Sequence, residues 1–394
     1  MKVLIISPEY LPVPNIKGGA VETLLNQYLD YNEINQINDV TVYSIFDKNI
    51  NNNELVKYKQ TKFRYINYKK KKYLIRKFIF AFLRRIFKSK VFPTIYYSLI
   101  VKDIKLRKEV SYYDLIILEN GMKGSKIFHN NLKSKIILHL HNDKINKNIS
   151  ESKDILSNVD ELWVVSKYLK ERVLEVDAKA TVKILPNGVD FKIFLKSMNK
   201  EAIRQFLYKY KINSKFVILY SGRLMREKGV LEMIKAYNNI NLPKANLLIA
   251  GDFDGKDLEK FKSEFLNECN KNKSIILLGK VKYEDMPILY KIADLQIVPS
   301  IVNEAFGMIL VEGMINKVPI IASNSGAIPE IIKDNLNGLI VDKTALVKNL
   351  EEKMLYLYSN KKIRKKIGEN AYKTAINYSN EKYCELFNYY IMSK

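Results

Sequence analysis

The stretch FVILYSGRLMREKGVLEMIKAYN, residues Phe216–Asn238, shows how this chain is built. Its first five residues, Phe216–Tyr220, are all apolar or aromatic and predict a buried strand. A polar loop with two glycines follows, and from Val230 onward apolar residues recur at helical spacing. The stretch is therefore a strand, a loop and a helix, the repeating part of a βαβ fold with parallel strands.

The same alternation continues in both directions and falls into two series. The predicted strands of the first series are Val3–Ser7, Val40–Phe46, Leu115–Leu118, Ile136–Leu140 and Leu162–Val165. Those of the second are Phe216–Tyr220, Ala245–Ala250, Ile275–Leu278, Leu295–Val298, Pro319–Ala322 and Gly338–Val341. Between them, LPNGVDFKIF (Leu185–Phe194) carries a Pro-Asn-Gly turn signal. We therefore predict an α/β fold with two parallel domains, 1–190 and 191–375, and a C-terminal helix within 376–394 that crosses back to the first domain.

Composition excludes several classes of protein. With 394 residues, 47% of them hydrophobic and 27% charged, the chain can fill two cores, so it is not a disordered protein. Its two cysteines, Cys269 and Cys384, are too few for a disulfide framework and lack zinc-type spacing. The first ten residues contain too short an apolar run for a signal peptide, and no run approaches the roughly 18 apolar residues of a membrane span. We expect a cytoplasmic protein.

The net charge is strongly positive, because 66 Lys and Arg residues oppose 42 Asp and Glu residues. Lysine dominates the excess, whereas nucleic-acid readers favour arginine, so no nucleic-acid partner is expected. One segment, Lys69–Lys90, holds ten basic residues and no acidic one, with aromatic side chains between them. It indicates a helix on an anionic membrane surface, which would make the protein peripheral on the inner face of the cell membrane. The alternative is a core-facing helix with a solvated basic side.

The loop after the strand Phe216–Tyr220 brings two cations to the start of a helix. Arg223 and Lys228 are five residues apart, and the helix opens at Gly229. A diphosphate needs both positive charge and amide donors, and a helix N-terminus flanked by cations supplies both. The alternative is a solvated Arg–Lys pair.

Two glutamates follow the strand Leu295–Val298, in VPSIVNEAFGMILVEGM. Because Glu304 and Glu312 are eight residues apart, a continuous helix would set them about 80° apart around its axis. They fit better with Glu304 in the loop before the helix and Glu312 about two turns inside it. Glu304 would then reach the ligand, and the deeper Glu312 could accept two hydroxyl hydrogen bonds from a ribose.

Gly18 and Gly19 lie just before the first predicted helix, where their amides can approach a phosphate at the positive helix end. Adjacent glycines are also ordinary turn residues. The loop has no GxGxxG pattern, which argues against a nicotinamide or flavin dehydrogenase.

Together these patterns resemble glycosyltransferase family 4, whose GT-B fold has two Rossmann-like domains facing a central cleft. The strongest likeness is GRxxxxKG at 222–229, followed by the two glutamates with FG between them. Further similar motifs occur in the expected order along nearly the whole chain: SPEYLPVPNIKGGAVE at 7–22, LHLHND at 138–143, ELWVVSKYLK at 161–170, LPNGVD at 185–190, AGDFDG at 250–255 and SNSGAIPEII at 323–332. The GGAVE and HLHND details look closest to bacterial members that decorate surface or spore-coat polysaccharide.

The resemblance implies a role for each candidate in the second domain. Arg223 and Lys228 would bind the donor pyrophosphate and stabilise the leaving nucleoside diphosphate. Glu304 would hold the hydroxyls of the donor sugar, and Glu312 the ribose. Backbone groups would complete the donor site: those of Gly307, Met308 and Ile309 near the phosphates and sugar, and those of the turn Gly279–Val281, including Val281, at the base.

In the first domain, the resemblance implies that Gly18 and Gly19 belong to the donor site, with Gly19 touching the diphosphate. His141 would lie against the donor sugar near the reacting carbon. His139, two residues earlier on the same face of the strand, is the rival candidate.

The implied activity is transfer of a sugar, with retention of anomeric configuration, from a nucleotide-diphosphate sugar to a glycan or lipid-linked acceptor in cell-surface polysaccharide synthesis. A UDP-sugar is the expected donor. Positive side chains rather than a metal ion would balance the diphosphate, so no metal or cofactor is expected. Same-face attack, with the leaving phosphate helping to deprotonate the acceptor hydroxyl, would need no protein nucleophile.

Other functions fit the sequence less well. A non-catalytic glycosyltransferase-like protein that binds and stabilises another enzyme is the main alternative, although the intact cations and glutamates weigh against it. A glycosidase with two carboxylates would explain neither the cationic pair nor the glycine loop.

Overall fold

A computed structural model describes residues 1–51, 55–68, 94–196, 198–255 and 258–393. The chain divides into two compact units. The first unit comprises Met1–Asn187 together with Asn380–Lys394, and the second comprises Gly188–Ser379. The segment Lys69–Lys90, for which a membrane helix is predicted, lies outside the described residues.

The first unit contains a seven-stranded sheet with the order β3-β2-β1-β4-β5-β6-β7, and its neighbouring strands are parallel. The strands are β1 (Lys2–Ile6), β2 (Asp39–Ile45), β3 (Thr61–Ile66), β4 (Leu115–Glu119), β5 (Lys135–Leu140), β6 (Glu161–Val164) and β7 (Val182–Ile184). The α-helices that the described residues form before the boundary are α1 (Ala20–Asn35), α2 (Ile95–Leu106), α3 (Ser125–His129), α4 (Ser152–Leu156) and α5 (Lys167–Leu174).

The second unit contains a six-stranded parallel sheet with the order β10-β9-β8-β11-β12-β13. Its strands are β8 (Phe216–Ser221), β9 (Ala245–Ala250), β10 (Ile275–Gly279), β11 (Leu295–Val298), β12 (Ile320–Ser323) and β13 (Leu339–Val341). Its helices are α6 (Phe191–Leu195), α7 (Lys200–Lys209), α8 (Val230–Asn239), α9 (Leu258–Asn270), α10 (Met286–Ile292), α11 (Met308–Ile315), α12 (Ile328–Ile331), α13 (Leu346–Ser359) and α14 (Lys361–Ala375).

Both sheets have the strand order of a Rossmann fold. Counted from the first strand of each unit, six strands run 3-2-1-4-5-6, and the first unit adds a seventh at the edge. Every residue of β8 is buried, as are all the residues of β11, because such sheets are covered by helices on both faces. This burial explains the continuous apolar runs in the sequence and confirms the predicted α/β fold with two Rossmann-like halves.

The helix after the second unit, α15 (Asn380–Met392), belongs to the first unit. Its Phe387 ring lies 4.2 Å from the ring of Tyr28 in α1 and 5.2 Å from that of Trp163 in β6. The Tyr390 hydroxyl donates to the carbonyl of Ile184 at 2.9 Å. The helix therefore fills one side of the first core.

The eleven predicted strands are all present, and the structure adds two edge strands, β3 and β7. The segment 344–393 contains three α-helices, α13, α14 and α15. Among the helices in the described part of the chain, none is long and apolar enough to cross a membrane.

Candidate active site

The predicted site residues follow the central strands of the two sheets. In each sheet the strand order reverses between two adjacent strands, β1 and β4 in the first unit and β8 and β11 in the second. Connections leave these strands toward opposite faces, which opens a crevice at their carboxyl ends.

Lys228 and Glu304 meet at the crevice of the second sheet. The Nζ atom of Lys228 lies 2.6 Å from Oε1 of Glu304, and both side chains are largely buried. The hydroxyl of Ser300 donates to the same carboxylate oxygen. The structure thus joins a cation and a carboxylate that the sequence places 76 residues apart.

Arg223 follows β8 but has a different partner. Its guanidinium donates to Oδ2 of Asp254 at 2.9 Å, and both side chains are more than half exposed. In the structure Arg223 is thus paired at the surface, whereas Lys228 is enclosed. An exposed pair of this kind contributes little to stability, so its guanidinium can exchange Asp254 for a ligand at low cost.

Backbone contacts lock the loop of Glu304 in place. The amides of Ile301 and Val302 both donate to the carbonyl of Glu227, at 2.9 and 3.0 Å. Gly229 has a φ of +65°, and a Cβ atom there would lie 2.0 Å from the Pro299 carbonyl oxygen. Only glycine therefore allows the two loops to approach this closely.

Gly326 supports the same loop from the other side. Its φ is +58°, and a Cβ atom at this position would lie 2.3 Å from the Glu304 carbonyl oxygen. The next amide, that of Ala327, donates to this carbonyl at 2.8 Å. The SNSG part of the SNSGAIPEII motif thus positions Glu304.

The helix α11 begins directly behind Glu304. Gly307 adopts a φ of +95° and caps the helix without a side-chain hydrogen bond, and Met308 and Ile309 form its first turn. The amides at such a helix start have no partner within the helix. They could donate to an anion or a sugar hydroxyl, as expected for these three residues.

Glu304 lies in the loop before α11, as predicted, but Glu312 lies only about one turn inside the helix rather than two, because the helix begins at Met308. Its carboxylate is buried and accepts a hydrogen bond from the Tyr290 hydroxyl at 2.8 Å. Tyr290 in turn contacts the Ser221 hydroxyl at 3.0 Å. Burial raises the pKa of Glu312 to about 7, although the bond from Tyr290 opposes the rise.

The turn after β10 lies on the Glu312 side of the site. Gly279 ends β10 with a φ of +67°, Val281 is half-buried, and a short 3-10 helix, Tyr283–Asp285, follows. Burial raises the pKa of Tyr283, and the nearby charge of Glu312 adds to the rise. This proximity suits a nucleoside whose base meets the turn and whose ribose meets Glu312.

In the first unit, Gly18 and Gly19 precede α1 with φ values of +81° and +113°. A Cβ atom at Gly19 would lie 2.2 Å from Oε2 of Glu22, a buried carboxylate of the same helix turn. Burial raises the pKa of Glu22. When ionised, this carboxylate would oppose a phosphate at the helix start, which the sequence alone did not reveal.

His139 and His141 lie together at the carboxyl end of β5, against Glu119 at the end of β4. The His141 Nε2 atom is 3.0 Å from Glu119 Oε2, and the His139 Nδ1 atom is 3.2 Å from Oε1. His139 is fully buried beside the rings of Trp163 and Phe387, whose centroids are each 6.1 Å away. His141 keeps a small exposed fraction, so of the two it is better placed to meet a ligand.

Sequence reasoning missed three residues here: Glu119, Tyr290 and Ser221. Glu119 and Ser221 are the last residues of β4 and β8, whose apolar runs were predicted as strands. The rule that ligands bind beyond strand ends could therefore have found them. Tyr290 lies on the buried face of α10, so the sequence pattern indicates only a core residue there.

Among the described residues, Glu119, His139 and His141 have ligand atoms close enough together, within 4.8 Å, to share a metal ion. Both imidazoles, however, already place a ring nitrogen at hydrogen-bond distance from the carboxylate. In this structure the three side chains form a hydrogen-bonded group.

Comparison with known proteins finds similar sequences and structures among glycosyltransferases. Residues 201–374 match the model of the family described as Glycosyl transferases group 1. The chain is 26% identical over 387 residues to the putative glycosyltransferase YtcC of Bacillus subtilis, an alignment covering 95% of this chain and 87% of that one. It is 29% identical over 249 residues to the lipopolysaccharide 1,2-N-acetylglucosaminetransferase of Salmonella typhimurium, covering 61% of this chain and 63% of that one.

Among solved structures, Anabaena Alr3699/HepE in complex with UDP and glucose superposes with a TM-score of 0.78 and 17% identity, covering the whole of both chains. This likeness concerns the fold. Residues 201–374 therefore carry the sequence pattern of the group 1 glycosyl transferases, and the chain has the α/β fold, with two Rossmann-like halves, of GT-B glycosyltransferases.

Proposed function

We propose that this protein is a retaining glycosyltransferase that moves a hexose-type sugar from a UDP-sugar to a glycan or lipid-linked acceptor in cell-surface polysaccharide synthesis. The observation that carries the proposal is the Lys228–Glu304 pair beside the start of α11, with Glu312 buried one turn deeper. The site thus offers a cation, helix-end amides and two carboxylates within one crevice. The UDP and glucose in HepE, and the lipopolysaccharide substrate named for the Salmonella relative, support the donor and acceptor classes.

The proposed donor site divides the ligand among these groups. Lys228 has three N–H donors, so it can bind a phosphate oxygen without releasing Glu304. Arg223 would leave its exposed partner Asp254 and bind the diphosphate. Glu304 would accept from the sugar hydroxyls, and Glu312 from the ribose hydroxyls.

The proposed reaction needs little acid–base chemistry from the second unit. Two cations and the amides of Gly307, Met308 and Ile309 would stabilise the charge that develops on the leaving diphosphate. These groups supply the positive charge without a divalent ion, so we propose a metal-independent transfer. The leaving phosphate would help to remove the proton of the acceptor hydroxyl on the same face, while His141 contacts the donor sugar.

We also propose that the protein works in the cytoplasm, held at the inner face of the membrane by the cations of Lys69–Lys90. This places it beside a lipid-linked acceptor. The support for it is the charge and aromatic content of that segment.

Calorimetric titration with UDP tests the donor site. Arg223→Ala and Lys228→Ala should each weaken binding about 10- to 100-fold, since a charge-assisted hydrogen bond contributes about 1.5–3 kcal/mol. Arg226→Ala is the matched control, because Arg226 lies in the same loop but pairs with Glu264 at 2.7 Å. The UDP affinity of the Arg226→Ala variant should stay within about threefold of wild type, a change in binding free energy well below the roughly 1.4 kcal/mol of a tenfold change.

Undiminished UDP affinity in both the Arg223 and the Lys228 variant would disprove the assignment. A wild-type chain that binds a UDP-sugar but neither hydrolyses nor transfers it, with extracted glycolipid as acceptor, would point instead to a non-catalytic partner protein.

A further inference from the structure

Glu119 is a buried carboxylate that joins both histidines of the first crevice. Strand pairing sets Glu119 of β4 opposite His139 of β5. The Nδ1 atom of His139 lies 3.2 Å from Oε1 and 3.1 Å from Oε2, and the Nε2 atom of His141 lies 3.0 Å from Oε2. The two imidazole centroids are 4.1 Å apart. One side chain therefore orients both rings.

These contacts determine where the imidazole protons lie. An ionised carboxylate can only accept hydrogen bonds, so each ring nitrogen that faces Glu119 must carry hydrogen. Burial alone would raise the pKa of Glu119, but the attraction of His139 and the bonds from both rings outweigh it and hold the pKa below the usual range. The carboxylate thus stays ionised near neutral pH, and His139 is an Nδ1–H donor while His141 is an Nε2–H donor.

His141 itself is neutral under the same conditions. Burial lowers its pKa, and the neighbouring His139 lowers it further, although Glu119 and hydrogen bonding of the protonated ring to Asn187 oppose both effects. A neutral imidazole has one N–H, which in His141 is on Nε2, so Nδ1 is left as a hydrogen-bond acceptor.

The Nδ1 atom of His141 is buried and has no hydrogen-bond partner among the described residues. The Oδ1 atom of neighbouring Asn187 is likewise buried and has no hydrogen-bond partner among the described residues. With the single proton of His141 on Nε2, neither Nδ1 nor the Asn187 oxygen can donate to the other, so in this form the corner of the crevice lacks a donor. A sugar hydroxyl would supply one, and a buried acceptor left unpaired costs about 1–3 kcal/mol.

The backbone fixes the rest of the His141 geometry. Its amide donates to Oδ1 of Asn120 at 2.9 Å, and the Asn142 side chain donates to the same oxygen at 2.9 Å. Among the described residues, Glu22 of α1 is a further charged group near the ring, and it interacts with both Glu119 and His141. The backbone at His141 is thus held by Asn120, while the ring itself is held by Glu119.

We propose that Glu119 is a positioning residue, which holds His141 in the Nε2–H form so that Nδ1 can accept a hydrogen bond from a hydroxyl of the bound sugar. The assignment of a sugar hydroxyl as the donor rests on the proposed function. The assignment of the two tautomers does not. His139 completes the group as the second donor to Glu119.

The tautomers can be measured without any substrate. The chain has three histidines, and His129 is exposed, so ¹⁵N-histidine labelling gives three ring systems with an internal reference. At pH 8 the spectra should show opposite tautomers, Nδ1–H for His139 and Nε2–H for His141. The same tautomer in both rings, or a mixture like that of His129, would overturn the proposal.

Kinetics with a UDP-sugar separates positioning from folding. Glu119→Gln and Glu119→Ala should lower kcat about 10- to 100-fold, as for other groups that orient a functional imidazole, and leave UDP affinity within about threefold. The matched control is Glu161→Gln. Glu161 is also buried, but it is the first residue of β6, at the amino ends of the strands, where it bonds Trp163, Lys135 and Lys183. This variant should lose stability and keep kcat.

The pH profile supplies a further readout. The Glu119 carboxylate favours the imidazolium form of His141, so Glu119→Gln should move the acid limb of kcat to lower pH. An unchanged kcat and acid limb in a folded Glu119→Gln protein would overturn the positioning role. If wild type shows the opposite tautomers but binds no UDP, the proposed function fails and the assignment of the tautomers stands.

Discussion

Glu312 is the residue whose environment departs most from its ordinary chemistry. It is buried in α11 with a hydrogen bond from Tyr290, and burial raises its pKa from 4.5 to about 7. The folded protein therefore holds a proton on Glu312 that the unfolded chain releases between about pH 4.5 and 7. Stability falls as pH rises through this window, because the buried charged form is penalised.

Glu312→Gln should remove that penalty. At pH 5 the variant and wild type should unfold with similar free energies, and at pH 8 the variant should be more stable by up to about 3 kcal/mol. UDP affinity should change in the opposite sense at pH 8, since the amide cannot replace a carboxylate that accepts two ribose hydroxyls.

Denaturant titrations at both pH values provide the measurement. Glu352→Gln, an exposed glutamate on α13, is the control and should show no pH-dependent difference. A Glu312→Gln protein that is less stable than wild type at pH 8 would contradict the raised pKa.

Among individual residues, those that directly follow a predicted strand could be recognised from the sequence as site residues. Lys228 and Glu304 follow strands of adjacent position, and the structure joins them. The sequence did not distinguish Glu119 from any other residue at a strand end. Its role depends on the pairing of β4 with β5, which brings it against His139, twenty residues away along the chain. Glu312 was predicted about one turn too deep, because α11 begins at Met308, only four residues before it.

At the scale of elements, α15 stabilises the unit to which it returns. Phe387 is fully buried against Tyr28 and Trp163, whereas Tyr389 on the same helix is 65% exposed. Phe387→Ala should destabilise the first unit by about 3–5 kcal/mol, and Tyr389→Ala should change stability by no more than about 0.5 kcal/mol.

Hydrogen exchange followed by mass spectrometry distinguishes the two units. Peptides of β5 and β6 should exchange faster in Phe387→Ala, while those of β8 and β9 should not. Equal acceleration in both units, or none, would mean that α15 is not part of the first core.

Two elements escaped prediction for a physical reason. β3, with the sequence TKFRYI, alternates polar and apolar residues at the sheet edge and is only partly buried. β7 is three residues long, too short for a periodic pattern. The central strands were predictable because burial on both faces makes them continuously apolar.

At the scale of the whole molecule, a net charge of +24 should attract the protein to anionic surfaces, and Lys69–Lys90 concentrates that charge beside aromatic groups. Wild type should co-sediment with vesicles that contain anionic lipid at low salt. It should dissociate as salt shortens the Debye length, which is about 10 Å at 0.1 M.

Changing Arg76, Lys77, Arg84 and Arg85 to Glu should abolish this binding. The control reverses four exposed lysines of α14, Lys361, Lys362, Lys365 and Lys366, and so makes the same change in net charge. If both quadruple variants bind equally, net charge alone attracts the protein and the segment has no specific role.

The division into two units was predictable from the alternation of strands and helices, and the boundary after Asn187 lies within the LPNGVD motif. The nearest sequence signal was the Pro-Asn-Gly turn, which marks the point where the chain leaves the first unit.

The first unit is interrupted in sequence by the second, and this has a consequence for synthesis on the ribosome. The second unit, Gly188–Ser379, is contiguous and can close as soon as it has emerged. The first unit emerges earlier but must wait, with Tyr28 and Trp163 uncovered, until Phe387 has been translated. The order of completion in the cell is therefore the reverse of the order of translation, and the waiting first unit is the part of the nascent chain that chaperones should recognise.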